Sequence, residues 1–170
     1  MKNYKELLKN INTLVFDYDG VFTDNLVLIM QDGELLRSSN TKDGYAVELA
    51  AGKGFRIAVI TGGKSDSVKE RMHNLGVEHV YTHVSDKREK LLGFMKAHDI
   101  RRENVLYMGD DIPDILAMKE VILPCCPADA VEEVKSICHY ISDNKGGQAA
   151  VRDIIEQVLK AQNLWMNEDT

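Results

Sequence analysis

Residues 14–24 (Leu14-Val-Phe-Asp-Tyr-Asp-Gly-Val-Phe-Thr-Asp24) constrain this chain more than any other stretch. The apolar run Leu14-Val15-Phe16 delivers two carboxylates, Asp17 and Asp19, and is broken at once by Gly20. A short apolar run closed by a breaker reads as a buried strand. Side chains alternate along a strand, so residues i and i+2 share a face and the two acids point the same way. Neighbouring anions repel, and such a pair calls for a cation or a shared proton. Buried strands that end in polar groups belong in open parallel sheets, which gather ligands at the carboxyl ends of their strands.

The rest of the chain repeats the pattern. A short helix is expected over 4–10 and the first strand over 13–17. Leu26-Val-Leu-Ile-Met30 and Leu35-Leu36-Arg37 flank Gln31-Asp32-Gly33-Glu34. Asp-Gly between apolar runs signals a hairpin, here a flap over about 25–39. An isolated hairpin is marginal in water, and this one is apolar on both sides, so it needs another surface, a neighbouring subunit. Helices follow over 42–53, from a Ser65 cap to Asn74, from an Asp86 cap to His98, and over 115–119 and 130–135. Strands fall at 56–61, 78–81, 104–108 and 121–123, with an edge strand at 139–141. Gly146-Gly147 leads into a last helix, on which Val151, Ile154, Ile155, Val158 and Leu159 form one apolar face. Residues beyond about 162 lack a pattern, although Trp165 is placed to dock. Strands alternating with helices predict an α/β, doubly wound, Rossmann-like parallel sheet. Residues 1–170 read as a single domain, with no repeat, linker or cap domain.

Composition narrows the function. The 170 residues suffice for one core. An excess of 27 acidic over 21 basic residues, net −6, argues against a nucleic-acid partner. No apolar run approaches the roughly 20 residues that span a bilayer, and the N-terminus has no signal-peptide core. Cys125, Cys126 and Cys138 are odd in number and lack C-x-x-C spacing, which predicts reduced thiols and a cytoplasmic protein. Cys125-Cys126 reads as packing.

Three further strand ends carry polar groups. Thr61 precedes Gly62-Gly63, whose N–H groups could hold a phosphate oxygen. Lys87 begins a helix. Gly109-Asp110-Asp111-x-x-Asp114 crowds acids at a strand-to-helix junction, where some would cap the helix and the rest suggest a cation. Together these groups supply a phosphoryl-transfer site. Asp17 is the nucleophile, and Asp19 is the general acid/base. Mg2+ takes oxygens from Asp17, Asp110 and the carbonyl of Asp19. Thr61 and Lys87 neutralise the transferring oxygens.

The ordered set Asp17-x-Asp19-Gly-Val-x-Thr-Asp24, Ile60-Thr-Gly62, Ser85-Asp-Lys87 and Gly109-Asp-Asp-x-x-Asp114 resembles the haloacid dehalogenase superfamily of phosphatases, over nearly the whole chain. The resemblance implies the roles just given, with Asp111 and Asp114 supporting the metal from behind. The gaps between motifs are too short for a cap, so the chain resembles capless members. Gly33-Glu34-x-x-Arg37, Asn40-Thr-Lys42-Asp43-Gly44-Tyr45 and Gly146-Gly147-x-x-Ala150-Val-Arg152-Asp153 narrow the likeness to the 3-deoxy-D-manno-octulosonate 8-phosphate phosphatases of lipopolysaccharide-sugar synthesis. That family implies a homotetramer packed through the hairpin, and a small phosphorylated sugar acid as substrate. It also implies a C-terminal lid, about 144–162, that closes a neighbour's site. Gly62, Lys42, Asp43 and Arg152 are then candidate substrate contacts.

Asn25, Gly63 and Gln148-Ala149 depart from the family pattern. None is expected to touch the chemistry, but Gly63 and Gln148 bear on the sugar. A phosphatase of a nine-carbon ulosonate 9-phosphate, or of another small sugar phosphate, is therefore the nearest alternative. A phosphoacceptor receiver domain would place its acid pair first and its phosphoacceptor on a later strand. The order here, Asp-x-Asp first and the acid cluster last, argues against one, and the intact acid set argues against a dead interaction module.

Overall fold

The computed structural model describes residues 3–166. Its centre is a parallel sheet of β1 (Thr13–Phe16), β4 (Arg56–Ile60), β5 (His79–Tyr81), β6 (Val105–Met108), β7 (Leu123–Cys126) and β8 (Tyr140–Ile141), in the order β5-β4-β1-β6-β7-β8. β2 (Leu28–Ile29) and β3 (Leu35–Leu36) pair antiparallel as the separate hairpin. The helices are α1 (Tyr4–Leu7), α2 (Thr41–Gly52), α3 (Asp66–Asn74), α4 (Lys87–Ala97), α5 (Ile115–Met118), α6 (Glu132–Lys135) and α7 (Ala150–Ala161).

Strand alternation divides the core into two layers. Leu14, Phe16, Ile57, Val59, Leu106 and Met108 face α2, α3 and α7. Val15, Ala58, Ile60, Val105 and Tyr107 face α4, α5 and α6. Helices on both faces explain why β1 and β6 are buried at every residue and read as continuous apolar runs. The chain winds outward from β1 through β4 to β5, then returns to lay β6 on the other side of β1. That reversal opens a crevice between the carboxyl ends of β1 and β6. Asp17 and Asp110 follow those two ends.

The predicted caps form. Ser65 accepts from the Val68 N–H at 3.2 Å, and Asp86 from the Glu89 N–H at 2.9 Å. Some boundaries differ. The leading helix tightens to 3-10 geometry over Leu8–Asn10. β7 lies at Leu123–Cys126, not 121–123, so Cys125 and Cys126 are fully buried strand residues. Pro124 obscured this, since a proline within an apolar run reads as a strand breaker. Ahead of α5, residues Ile112–Asp114 form a 3-10 turn closed by a capping box between Asp111 and Asp114.

The C-terminal segment packs closely on its own chain. Six residues of α7 are buried against the chain's own core, and Gly146-Gly147 wedges against the loop that follows Asp19. A Cβ at Gly146 would overlap the carbonyl of Gly20, and one at Gly147 would lie 2.7 Å from the Asp24 nitrogen. Gly147 takes φ +69° and donates its N–H to the Val21 carbonyl at 3.1 Å. The two glycines therefore serve close backbone approach within one chain. Trp165 packs against the core, with the Arg152 guanidinium 5.3 Å from its ring centroid. Among the described residues, no helix is long and apolar enough to cross a membrane.

Candidate active site

The crevice is a cavity of about 380 Å³ into which Asp17, Asp19, Thr61, Gly62, Lys87, Asp110, Asp111 and Asp114 all converge. Four separate strand ends supply these residues. The β1 end places Asp17, whose N–H is fixed by the Met108 carbonyl at 3.0 Å. Its Oδ1 accepts the Tyr18 N–H at 2.7 Å. Lys87, on the first turn of α4, reaches Asp17 Oδ2 at 2.9 Å and Asp114 Oδ1 at 2.8 Å. Asp114 is saturated by its surroundings. Tyr107 Oη donates to Oδ1 at 2.9 Å, and the N–H groups of Asp110 and Asp111 donate to Oδ2 at 3.2 and 3.4 Å. It thereby orients Lys87 and holds the acidic turn in shape. Asp111 instead caps the turn through the Ile112 N–H at 2.7 Å.

Asp17, Asp110 and Asp114 bring carboxylate oxygens within 4.8 Å of one another, all buried. One ammonium cannot balance three such anions. Burial first, and then the charge of Asp114, push Asp17 well above the usual carboxylate range, against the pull of Lys87. Burial likewise raises Asp110 to about 6, although the Asn25 amide partly offsets it. Asp110 Oδ1 is buried without a hydrogen-bond partner. An orphaned carboxylate oxygen is costly, and an all-oxygen acidic donor set suits a hard divalent cation. The site fits Mg2+.

Thr61 is buried at the end of β4, and its Oγ1 accepts the Gly63 N–H at 3.2 Å. The expected cradle is thus smaller than the sequence implied, because the Gly63 N–H is already engaged. Asp19 lies at the cavity wall, with both carboxylate oxygens held by Arg37.

Three expected substrate contacts stand apart from this cavity. Asp43 is 1 % exposed, and its Oδ1 accepts the Arg152 N–H. It is an end-cap for α7 supplied by α2. Arg152 pairs with Glu156 at 3.4 Å and lies over the rings of Tyr45 and Trp165. Lys42 is exposed on α2. Within one chain, none of the three meets the acids.

Three residues emerge whose roles sequence reasoning passed over. Asn25, set aside as remote from the chemistry, donates from Nδ2 to Asp110 Oδ2 at 2.7 Å and takes φ +66° to do so. Asn tolerates that left-handed backbone better than most residues, and this was the available signal. Arg37 was visible only as part of a motif. Tyr107 stood only as part of the 104–108 strand, yet a buried tyrosine hydroxyl needs a partner, and Asp114 is that partner.

Comparison with known proteins agrees with this geometry. The sequence profile of haloacid dehalogenase-like hydrolases matches residues 68–155. The chain is 35% identical over 154 residues to the 3-deoxy-D-manno-octulosonate 8-phosphate phosphatase of Salmonella typhi, covering 91% of this chain and 82% of that one. The crystal structure of the Yersinia pestis phosphatase of the same name superposes with a TM-score of 0.93 at 32% identity, covering 96% and 88% of the two chains. That of Moraxella catarrhalis, solved with magnesium, phosphate and the sugar acid, gives 0.92 at 30% identity, covering 96% and 94%. A cobalt-bound Haemophilus influenzae relative gives 0.90 at 26% identity, covering 96% and 97%. Identity sustained over nine-tenths of the sequence, in a fold that superposes end to end, shows that the chain belongs to the haloacid dehalogenase-like hydrolases, as a capless member similar to the 3-deoxy-D-manno-octulosonate 8-phosphate phosphatases.

Proposed function

We propose that this chain is a Mg2+-dependent phosphatase that hydrolyses 3-deoxy-D-manno-octulosonate 8-phosphate to the free sugar acid and phosphate, in lipopolysaccharide-sugar synthesis. The observation that carries the reading is the placement of Lys87 between Asp17 and Asp114, 2.9 and 2.8 Å away, in the cavity that also holds Asp19 and Thr61.

Asp17 attacks phosphorus and forms an aspartyl phosphate as the P–O bond to the sugar breaks. Asp19 gives its proton to the departing sugar oxygen. A water then attacks the phosphoaspartate, Asp19 takes a proton from it, and phosphate leaves with Asp17 restored. Lys87 and the Thr61 hydroxyl hold the transferring oxygens, and Asp114 keeps Lys87 aimed at them. Asp17, Asp110 and the backbone of Asp19 would hold Mg2+, with Asp111 and Asp114 behind them. When bound, the ion offsets the negative charge of the phosphoryl group and of the clustered acids. Positioning and charge complementarity supply most of what phosphoryl transfer requires.

Residues 1–170 act in this reading as a single catalytic domain. The exposed apolar hairpin supports assembly into a homotetramer, in which neighbours cover otherwise open sites. Lys42 and Arg152 would then be available to a neighbour's substrate. Three free cysteines support a cytoplasmic setting. Gly63 lines the cavity without adding a side chain to it, which keeps a nine-carbon ulosonate 9-phosphate as the second reading.

The test is kcat/KM with Mg2+ on the eight-carbon and nine-carbon phosphates side by side. A preference for the eight-carbon substrate of about 100-fold, roughly 2.7 kcal/mol in transition-state binding, is expected. A reversed preference moves the substrate to the nine-carbon class. Asp17→Asn should abolish turnover on both while the fold survives, and residual Mg2+-dependent hydrolysis in that variant would remove the aspartyl-phosphate mechanism.

A further inference from the structure

We propose that Arg37 is a positioning residue for Asp19, delivered by the hairpin to fix the carboxylate that moves the proton in both halves of the reaction. The proposal rests on the phosphatase reading above.

The contact is two-pronged. Arg37 Nε lies 2.6 Å from Asp19 Oδ1, and Nη2 lies 3.2 Å from Oδ2. A planar fork on both oxygens sets the rotation of the carboxylate as well as its position, which a lysine ammonium cannot do. The third nitrogen, Nη1, donates to the Leu35 carbonyl at 3.1 Å, so the hairpin's own backbone aims the fork. The Arg37 side chain is 8 % exposed, against 32 % for Asp19. This is therefore not a solvated surface pair. The arginine side chain is largely covered, while the carboxylate keeps an open side.

Gly63 makes the room. A Cβ at that position would stand 3.0 Å from Asp19 Oδ2 and 3.2 Å from Arg37 Nη2. Any side chain there would press on the fork.

A carboxylate offers about four lone-pair sites on its two oxygens. The fork takes one site on each oxygen and leaves one on each for proton traffic. Oδ2 has the longer contact to the fork, 3.2 Å against 2.6 Å, so it is the oxygen that carries the proton. In the first half that proton passes to the leaving oxygen as the P–O bond to Asp17 forms. In the second half Oδ2 takes a proton from the attacking water as that bond breaks.

Arg37→Ala and Arg37→Lys separate this role from others, with p-nitrophenyl phosphate as the probe. Nitrophenolate departs without a general acid, whereas hydrolysis of the phosphoaspartate needs Asp19 as base. In Arg37→Ala the first-turnover release of nitrophenolate should stay within about threefold of wild type, while the steady-state rate falls about 30-fold, part of the ~100-fold or more that a general acid/base supplies. With a sugar phosphate, which needs its leaving oxygen protonated, the first turnover should fall too. Added guanidinium ion, well below denaturing levels, should restore part of the Arg37→Ala rate, and Arg37→Lys should fall between the two. Parallel loss of both phases with a lowered Tm would reduce Arg37 to a structural residue. A rise in KM confined to the sugar acid, with kcat unchanged, would make it a substrate anchor, and unchanged kinetics would leave it no role. A wild-type chain that hydrolyses no phosphomonoester with Mg2+ would overturn the phosphatase reading itself, and this role with it.

Discussion

Asp43 of α2 accepts the backbone N–H of Arg152 at 2.8 Å, across 109 residues of sequence. The N-cap position of α7 is Ala149, whose side chain cannot cap a helix and whose φ is +73°. The cap therefore comes from another helix, and it ties α2 to α7 through the first turn of each. Asp43→Ala should destabilise the chain by about 2 kcal/mol, the upper end for a lost cap, because the freed N–H is partly buried. Asp43→Asn keeps an acceptor and should cost less. Urea denaturation of both variants checks this; an Asp43→Ala chain as stable as wild type would remove the cap.

Acid titration offers a second check. Burial raises both Asp43 and Asp110 from 3.8 to about 6. The folded chain therefore binds these protons more tightly than the unfolded chain. For these two acids, metal-free stability is greatest below 3.8 and falls as pH rises from there to about 6. Asp17, raised further, carries the fall to higher pH. Mg2+ needs its carboxylates ionised, so its affinity runs the opposite way and strengthens as pH rises. Calorimetry at about pH 5 and about pH 7 should give a lower Tm at the higher pH with EDTA, and a larger Mg2+-induced rise in Tm there. An EDTA sample more stable at the higher pH would contradict the assignment.

Gly146 lies against the backbone of the Asp17–Asp24 loop, where a Cβ would overlap the Gly20 carbonyl and stand 2.8 Å from the Thr23 oxygen. The same loop carries Asp19 and leads to Asn25, which holds Asp110. Gly146→Ala should cost about 1–3 kcal/mol by overpacking. It should also weaken Mg2+ binding, measured calorimetrically, because the displaced loop drags Asn25 from Asp110. Wild-type Mg2+ affinity in a destabilised variant would separate the wedge from the metal site.

The hairpin presents Leu26, Leu28 and Ile29 at 71, 64 and 72 % exposure. In the proposed tetramer this patch would be covered by a neighbouring subunit. Ile29→Glu should lower the mass measured by sedimentation while changing monomer stability by only about 0.5 kcal/mol, as for a surface substitution. A wild-type chain that sediments as a monomer would refute the tetramer.

Legibility in the sequence followed the range of the interaction. The strand ends Asp17, Thr61, Lys87 and Asp110 could be read because each follows or precedes a local apolar run, and a parallel sheet brings all such ends to one edge. Caps at Ser65 and Asp86 were readable because a cap and its helix are neighbours. β7 was misjudged locally, where Pro124 masks a strand that pairs with its neighbours on both sides.

The sequence by itself determined the doubly wound sheet and the acids at its carboxyl edge, because hydrophobic periodicity and strand-end chemistry are local. Only the tertiary structure decided what surrounds those acids. The Arg37 fork on Asp19, the Asn25 amide on Asp110, Tyr107 on Asp114, the Asp43 cap and the Gly146 wedge all join side chains or backbone from different elements. Such contacts depend on how loops cross in space, and no periodicity in the chain encodes them.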